Sequence, residues 1–202
     1  ELVPAESGTE RAAVLDTISR SVDYLWVLRT ALVTPASIDS VVARAVRMGV
    51  RGLLVQVVGR GDAFFDSRLL PRAEALGRTD PDFDPLARLI AESKPQGLEV
   101  HAWMNCMLVW SAPRRPRSAA HVLNAHPEWI TSLRDGRRMT RLSPGQCRRL
   151  GVEGAYLAAG HPAVRAWIAS IAAEIATRYA IDGIHLDYIR QPDIPVGFDP
   201  TT

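Results

Sequence analysis

The sequence predicts an α/β fold of parallel (β/α) units, about four of them, which correspond to the N-terminal half of a (β/α)8 TIM barrel. Short apolar runs alternate with amphipathic helical patterns, which favours a parallel sheet with right-handed crossovers. The last run, 181–190, ends in polar side chains, as barrel strands do where they present chemistry at the mouth. A complete open sheet of four units is the alternative, although half a barrel would leave two unpaired edges.

The first two units cover residues 24–97. A predicted strand over 24–29 precedes a helix over 37–49, which has a serine as its N-cap and a glycine as its stop. A second strand over 52–58 is separated by a polar loop from a helix over 84–97, which has proline in its first turn.

The third unit begins with a strand over 98–105, and a loop of unusual length then runs to residue 160. Loops this long in a compact domain are usually functional or disordered. A helix over 162–179 follows, with apolar residues at helical spacing, and leads into the fourth strand, 181–187. We therefore expect an N-terminal extension over 1–23 and a barrel domain over 24–202 that is incomplete at its C-terminus.

The composition is that of a globular protein with a sizeable core, because 47% of the residues are apolar and 23% are charged. The net charge of +2 is too small to imply a polyanionic partner, and the arginines between Arg114 and Arg149 have few aromatic residues beside them to stack bases. We expect no nucleic acid as partner. No apolar run approaches the ~20 residues that a membrane span needs, and no leader pattern is present.

The two cysteines, Cys106 and Cys147, lie far apart and in no zinc-ligand spacing. They can form one disulfide in an oxidising compartment, but they do not make a disulfide framework.

The most informative side chains lie at the end of the fourth strand. Because side chains alternate, Ile184 and Leu186 point to the apolar packing, and His185 and Asp187 point to the other face. Asp187 is a candidate nucleophile, transition-state stabiliser or metal ligand; the alternative is an interior pair that bonds neighbouring strands. Tyr188 and Arg190 follow the end of the strand, and we interpret them as substrate-binding residues or as residues on the rim of the barrel.

His101, Trp103 and Asn105 share one face of the third strand. Sugar sites often combine an aromatic plane with amides and imidazoles that bond hydroxyl groups. The alternative is that Trp103 is core and His101 is an interior histidine with its hydrogen bonds satisfied.

The second strand leads into Gly59-Arg60-Gly61-Asp62, whose glycines permit a tight backbone at the barrel mouth. Asp62 can face substrate or pair with Arg60, and an ordinary turn with that ion pair is an equal alternative. The same two interpretations apply to Arg29 at the end of the first strand.

Six segments, in chain order, resemble the bacterial glycosyl-hydrolase-like family of TIM barrels, which is distantly related to the α-amylases. Their most specific parts read Gln-Val-Val-Gly-Arg-Gly-Asp and Asp-Gly-Ile-His-Leu-Asp-Tyr-Ile-Arg. The segments are 26–29, 56–62, 101–105, 126–129, 160–165 and 182–190.

This resemblance implies a secreted or envelope-associated glycoside hydrolase that needs no cofactor and takes a polysaccharide, with peptidoglycan glycan strands stripped of their peptides as one candidate. It maps the nucleophile onto Asp187, and the relatives' arginine two residues earlier is replaced here by His185. The general acid would lie on a later strand, beyond residue 202. Substrate-binding residues are expected at Arg29, Gln56, Arg60, Asp62, His101, Trp103, Asn105, His185, Tyr188 and Arg190.

Two rival classes stay open from the residues alone. A metal-dependent hydrolase would place His101, His185 and Asp187 around one ion. A non-catalytic glycan-binding remnant would use the same cleft without turnover.

Overall fold

The computed structural model describes residues 23–77, 80–192 and Gly197. Strands and helices alternate as predicted, with shorter elements inserted before the last helix and strand. In chain order they are β1 Tyr24–Val27, α1 Pro35–Met48, β2 Gly52–Val58, α2 Pro85–Ser93, β3 Glu99–Asn105, β4 Leu108–Trp110, α3 Val122–Ala125, α4 Pro144–Arg149, β5 Ala155–Tyr156, α5 Pro162–Arg178 and β6 Gly183–Asp187. The extension predicted for residues 1–23 lies outside the described part except for Asp23 and stays a prediction.

The main sheet confirms the predicted fold class. Strands β1, β2, β3 and β6 lie in that spatial order, and each neighbouring pair is parallel. Because all four strands run in the same direction, their carboxyl ends meet at one edge of the sheet. The chain thus folds as (β/α) units of a partial barrel.

The apolar core lies between the sheet and the long helices. Alternate residues of β2 and β3 point into it, while the residues between them point to the opposite face, as the two-residue period of a strand requires. Each large aliphatic side chain buried here contributes about 1.5–3 kcal/mol to folding. The apolar residues at helical spacing that are buried in α1, α2 and α5 are Ile38, Val42, Ala45, Leu86, Leu89, Val164, Ile171 and Ile175.

The boundaries of the first unit differ from the prediction. Helix α1 starts after Thr34 rather than after Ser37, because the Thr34 hydroxyl accepts the Ser37 N–H and the Ser37 hydroxyl reaches back in a capping box. Strand β1 ends at Val27 because a 3-10 turn begins at Arg29. Met48, an apolar residue of the predicted helix, is 48% exposed at the last turn of α1.

The loop predicted between residues 106 and 160 is a small folded insert, so that prediction was wrong. Strands β4 and β5 pair in antiparallel fashion, and a second hydrophobic cluster forms around Ile130, Tyr156 and Leu157. Its apolar residues come from very short elements, so no helix or strand period is visible in the sequence.

Both cysteines are free thiols, so the disulfide option is not realised. Cys106 is buried in the main core, whereas Cys147 packs against the insert's own cluster. Burial raises the pKa of the Cys106 thiol to about 11, which keeps it protonated and unreactive at neutral pH.

Leu186 of β6 is 47% exposed, although its alternation predicts apolar packing. Ile184, two residues earlier, does pack against the core. Both residues belong to β6, the last strand of the described sheet, and only Ile184 packs against the core cluster. Across the described ranges, no helix has both the length and the apolar character needed to cross a bilayer.

A buried carboxylate ties α5 to the loop that follows β2. Glu174 is 8% exposed, and its oxygens accept hydrogen bonds from Ser67 Oγ at 2.6 Å and from the Arg68 N–H at 2.6 Å. Arg178, one turn along α5, donates to the same carboxylate at 3.1 Å. This cluster fixes the segment that leaves the carboxyl end of β2.

We expect Glu174→Ala to lower the free energy of unfolding by about 3 kcal/mol, because it leaves buried donors without their charged acceptor. Urea denaturation would measure this change. Glu92→Ala is the matched control, since Glu92 forms an exposed ion pair with Arg88 and its loss should cost under about 0.5 kcal/mol. Equal effects of the two substitutions would contradict the structural role of Glu174.

Candidate active site

The Asp187 carboxylate lies at the carboxyl end of β6, on the sheet face opposite the helices. Its Oδ2 accepts a hydrogen bond from the Trp103 indole N–H at 3.1 Å, and its Oδ1 accepts the backbone N–H of Tyr188 at 2.7 Å. Both donors are neutral, so the two bonds orient the carboxylate without cancelling its negative charge.

The Tyr188 backbone adopts a conformation that is rare for a residue with a side chain, with φ of +49°. This left-handed turn brings the Tyr188 N–H onto the Asp187 side chain directly after the strand. Strain of this kind, about 1–3 kcal/mol, is found mainly where function requires a fixed geometry.

Three rings form an aromatic wall beside Asp187. The Trp26 ring meets Trp103 edge-on with centroids 4.7 Å apart, and it meets His185 edge-on at 4.9 Å. Trp103 is 8% exposed, whereas Trp26 is 54% exposed. The wall therefore offers one open indole, and a large amphipathic ring of this kind suits the apolar face of a sugar.

Two amide side chains connect the strand ends. Asn105, the ladder partner of Asp187, donates its Nδ2 to the Gly59 carbonyl at 3.0 Å. The Gln56 Oε1 accepts from Arg29 Nη1 at 2.8 Å. The buried Oδ1 of Asn105 has no hydrogen-bond partner among the described residues, and the substrate-binding role of Asn105 stays a prediction.

The turn after β2 confirms the predicted need for glycine. A Cβ on Gly59 would lie 2.6 Å from Arg29 Cδ, and Gly61 has φ of +73°. The ion pair considered for this turn is replaced by a backbone contact, since Asp62 Oδ1 accepts the Arg60 N–H at 3.3 Å. Burial raises the pKa of Asp62, against the opposing effects of His121 and Arg29.

Three predicted residues lie away from Asp187. His101 is four residues, about 13 Å, from the ladder partner of Asp187, and its Nε2 lies 3.3 Å from Glu99 Oε2. The Arg190 guanidinium lies 5.1 Å from the centroid of the Tyr188 ring and donates a hydrogen bond to Glu153 at 3.0 Å. These contacts direct the side chains of Arg190 and Tyr188 toward the insert. Their substrate-binding roles stay predictions.

The metal-dependent alternative has no ligand set in the described ranges. Within them, no group of three or more His, Cys, Asp or Glu residues could hold an ion. The proposed trio is spread along the strands, because His101 pairs in the ladder with Gly183 and not with the strand end.

Sequence reasoning missed Trp26 as a site residue. It was assigned only to a strand, yet it carries the open face of the aromatic wall. The parallel register places Trp26 beside Leu54 and His101 on one face, so strand alternation in β1 was the signal that could have found it.

His121 of the insert was also missed, and it holds the turn after β2. Its Nδ1 accepts the Leu123 N–H at 3.1 Å, so its Nε2 carries the proton and donates to the Arg60 carbonyl at 2.7 Å. Burial lowers the pKa of the His121 imidazole, which keeps this neutral tautomer. No sequence signal indicated this contact, because it joins residues 61 positions apart.

A parallel (β/α) sheet with a carboxylate and an aromatic wall at its carboxyl edge places the protein in the class of (β/α) barrels. The fold is similar to that of a hypothetical protein from Ruminiclostridium thermocellum ATCC 27405, with a TM-score of 0.61 and 16% identity over 87% of this chain and 81% of the other. It is also similar to alpha-L-fucosidase isoenzyme 2 from Paenibacillus thiaminolyticus, with a TM-score of 0.55 and 17% identity over 79% and 21%.

The chain belongs to the glycosyl hydrolase-like 10 family, whose model matches residues 20–202. Among curated relatives, it is 30% identical over 155 residues to the glycosyl hydrolase DigH of Escherichia coli (strain K12). The match covers 70% of this chain and 31% of that protein, so the chain spans about a third of the length of this relative.

We expect His121→Gln to destabilise the protein by about 1–2 kcal/mol at pH 7.5, since two buried hydrogen bonds are lost. The difference in the free energy of unfolding between wild type and His121→Gln should become smaller as the pH falls from 7 to 5. A histidine with a lowered folded pKa contributes stability above its unfolded pKa of about 6.5 and loses it at lower pH, because the protonated ring cannot accept from Leu123.

Urea titrations at several pH values would measure the gap between wild type and His121→Gln. Asp62 and Glu74 also face the His121 ring with negative charge and Arg115 with positive charge, so both proteins should be compared at the same ionic strength. A gap that stays constant over this pH range would contradict the neutral tautomer.

Proposed function

We propose that this chain supplies the nucleophile side of a glycoside hydrolase active site, with Asp187 as nucleophile or as stabiliser of the oxocarbenium-like transition state. The observation that supports this most directly is the orientation of Asp187 by two neutral donors at the strand end. A carboxylate held in this way keeps its full charge for the positive charge that develops on the sugar.

The aromatic wall would position the sugar. The open face of Trp26 can stack on a pyranose ring, and His185 beside it can bond a hydroxyl group of that ring. In a retaining mechanism an Asp187 oxygen attacks the anomeric carbon, and a second carboxyl group protonates the departing oxygen. By the family resemblance, that acid belongs to a later strand of the barrel.

The proposed substrate is the glycan strand of peptidoglycan after its peptides have been removed. Family membership supports a glycan substrate, and the resemblance of the strand motifs supports this particular polymer. An envelope or extracellular location is proposed with it, because that is where such strands are found.

We expect Asp187→Asn in the full-length protein to reduce the rate of stripped-glycan cleavage at least a thousandfold, because the amide can neither attack nor stabilise the cation. Asp182→Asn is the matched control, because it makes the same substitution at the residue that precedes β6. Asp182 precedes β6 at the opposite end and pairs with Lys94 at 2.6 Å, so its loss should leave the rate within about twofold.

Chromatography of the reaction products would measure both rates. Full cleavage by Asp187→Asn would refute the assignment of Asp187. Glycan binding by the wild-type protein without any turnover would favour the non-catalytic alternative.

We expect Trp26→Ala to raise KM for the glycan about three- to tenfold with a smaller effect on kcat, because stacking on an open ring contributes mainly to ground-state binding. Trp26→Phe keeps an aromatic plane and should recover part of this loss. Steady-state kinetics on oligosaccharides of defined length would separate the two constants. A loss confined to kcat would show that Trp26 acts through Trp103 instead.

A further inference from the structure

A pocket rich in arginine adjoins the candidate site at the carboxyl ends of β1 and β2. Its volume is about 270 Å3, which suits one sugar substituent rather than an oligosaccharide. Asp62, Glu74 and Trp110 also line it. The arginines are Arg29, Arg60, Arg114, Arg115 and Arg117, and this set is called the arginine pocket below.

Most of the positive charge in the arginine pocket is not neutralised by the protein. Glu74 is engaged by Arg117, whose backbone N–H donates to it at 2.6 Å and whose Nε lies 3.7 Å away. Asp62 bonds a backbone N–H and faces Arg29 and Arg60, whose charges oppose the rise that burial causes in its pKa; with Glu74 it sets two carboxyl groups against five guanidinium groups. Arg29 donates to the neutral Gln56, and burial together with the charge of Arg60 lowers the pKa of Arg29.

Arg60 is held in place with donor capacity to spare. Its guanidinium lies 5.9 Å from the centroid of the Trp110 ring, and its carbonyl is bonded by His121. Its buried Nε has no hydrogen-bond partner among the described residues. A buried unpaired donor on a fixed guanidinium costs free energy unless a ligand accepts from it.

Two hydrogen-bonded side chains join the arginine pocket to the strands that carry the site around Asp187. Asn105, the ladder partner of Asp187, bonds the carbonyl of Gly59, the residue before Arg60. Gln56, the ladder partner of Trp103, bonds Arg29. Strands in a sheet lie about 4.8 Å apart, so β2 and β1 place the pocket roughly 10–14 Å from Asp187. This distance is within reach of a glycan bound at Asp187 that extends across β3 and β2.

We propose that the arginine pocket binds a carboxylate carried by the glycan, and so selects acidic sugars for the active site. This inference rests on the proposed function, since it assigns a specificity subsite to the same cleft. A guanidinium presents paired N–H donors that match a carboxylate in two parallel bonds. On a peptidoglycan strand, the lactyl carboxylate is free only after the peptide has been removed, so the pocket would distinguish stripped from intact strands. A uronic acid would present the same group.

Binding should be measured by calorimetry on full-length protein carrying Asp187→Asn, so that no ligand is consumed. The ligands are muramic-acid oligosaccharides with free lactyl carboxylates, oligouronates, and the amide derivative of each. We expect at least one carboxylated glycan to bind about tenfold or more tightly than its amide. The pair that shows this preference identifies the source of the carboxylate.

Arg60→Gln should remove that preference, and Arg60→Lys should keep part of it because it retains the charge. Arg29→Gln tests the same pocket through a second guanidinium if Arg60→Gln is unstable in thermal unfolding. Arg44→Gln, at an exposed position on α1, is the charge-matched control and should change nothing.

Equal affinity for every acid and its amide would overturn the inference, even if wild-type protein cleaves stripped glycan. An acid preference that depends on Arg60, found in a wild-type protein that cleaves no glycan, would instead refute the proposed hydrolysis and leave the pocket assignment in place. The two proposals therefore fail separately.

Discussion

The register of β6 against β3 is the constraint on which the candidate site depends. Pairing of Asn105 with Asp187 brings the Trp103 indole within hydrogen-bond distance of the Asp187 carboxylate. Gly183 permits this register, because a Cβ there would lie 2.5 Å from His101 Nδ1. The His101 ring is itself fixed, since it contacts Glu99 and the Tyr24 ring at a centroid distance of 5.2 Å. His101 thus supports the site from below, whatever its role toward substrate.

The insert completes the site from the other side. His121 reaches from α3 to the Arg60 carbonyl, and Trp110 of β4 lies against the Arg60 guanidinium. Without the insert, the turn after β2 would keep the Asn105 bond to the Gly59 carbonyl and the Asp62 bond to the Arg60 N–H, but lose the contacts on Arg60 itself from His121 and Trp110. The sheet supplies Asp187, and the insert positions Arg60. This is a common arrangement, in which a rigid scaffold holds connecting segments that carry specificity.

Local pattern predicted the sheet, the long helices and Asp187, because each depends on a period of two or 3.6 residues that can be read along the chain. Asp187 stands out since a carboxylate at the end of an apolar strand has no packing role. His121 and the insert's core could not be predicted in this way, because their contacts join segments with no shared period. Trp26 is an intermediate case. Strand alternation in the sequence predicts which face of β1 it lies on, but only the pairing of the strands in the structure shows that this places it near Asp187.

Charge distribution along the cleft links the two proposals. The developing oxocarbenium would be stabilised by Asp187, but uncompensated guanidinium charges roughly 12 Å away would oppose it by about 1 kcal/mol each at an effective dielectric constant of 20. A carboxylate bound in the arginine pocket would cancel one such charge. An acidic glycan would therefore gain in its transition state as well as in binding, whereas a neutral one would meet the full repulsion. Selectivity for acidic sugars should then be larger in kcat/KM than in Kd, because only the former includes the charge that forms during reaction.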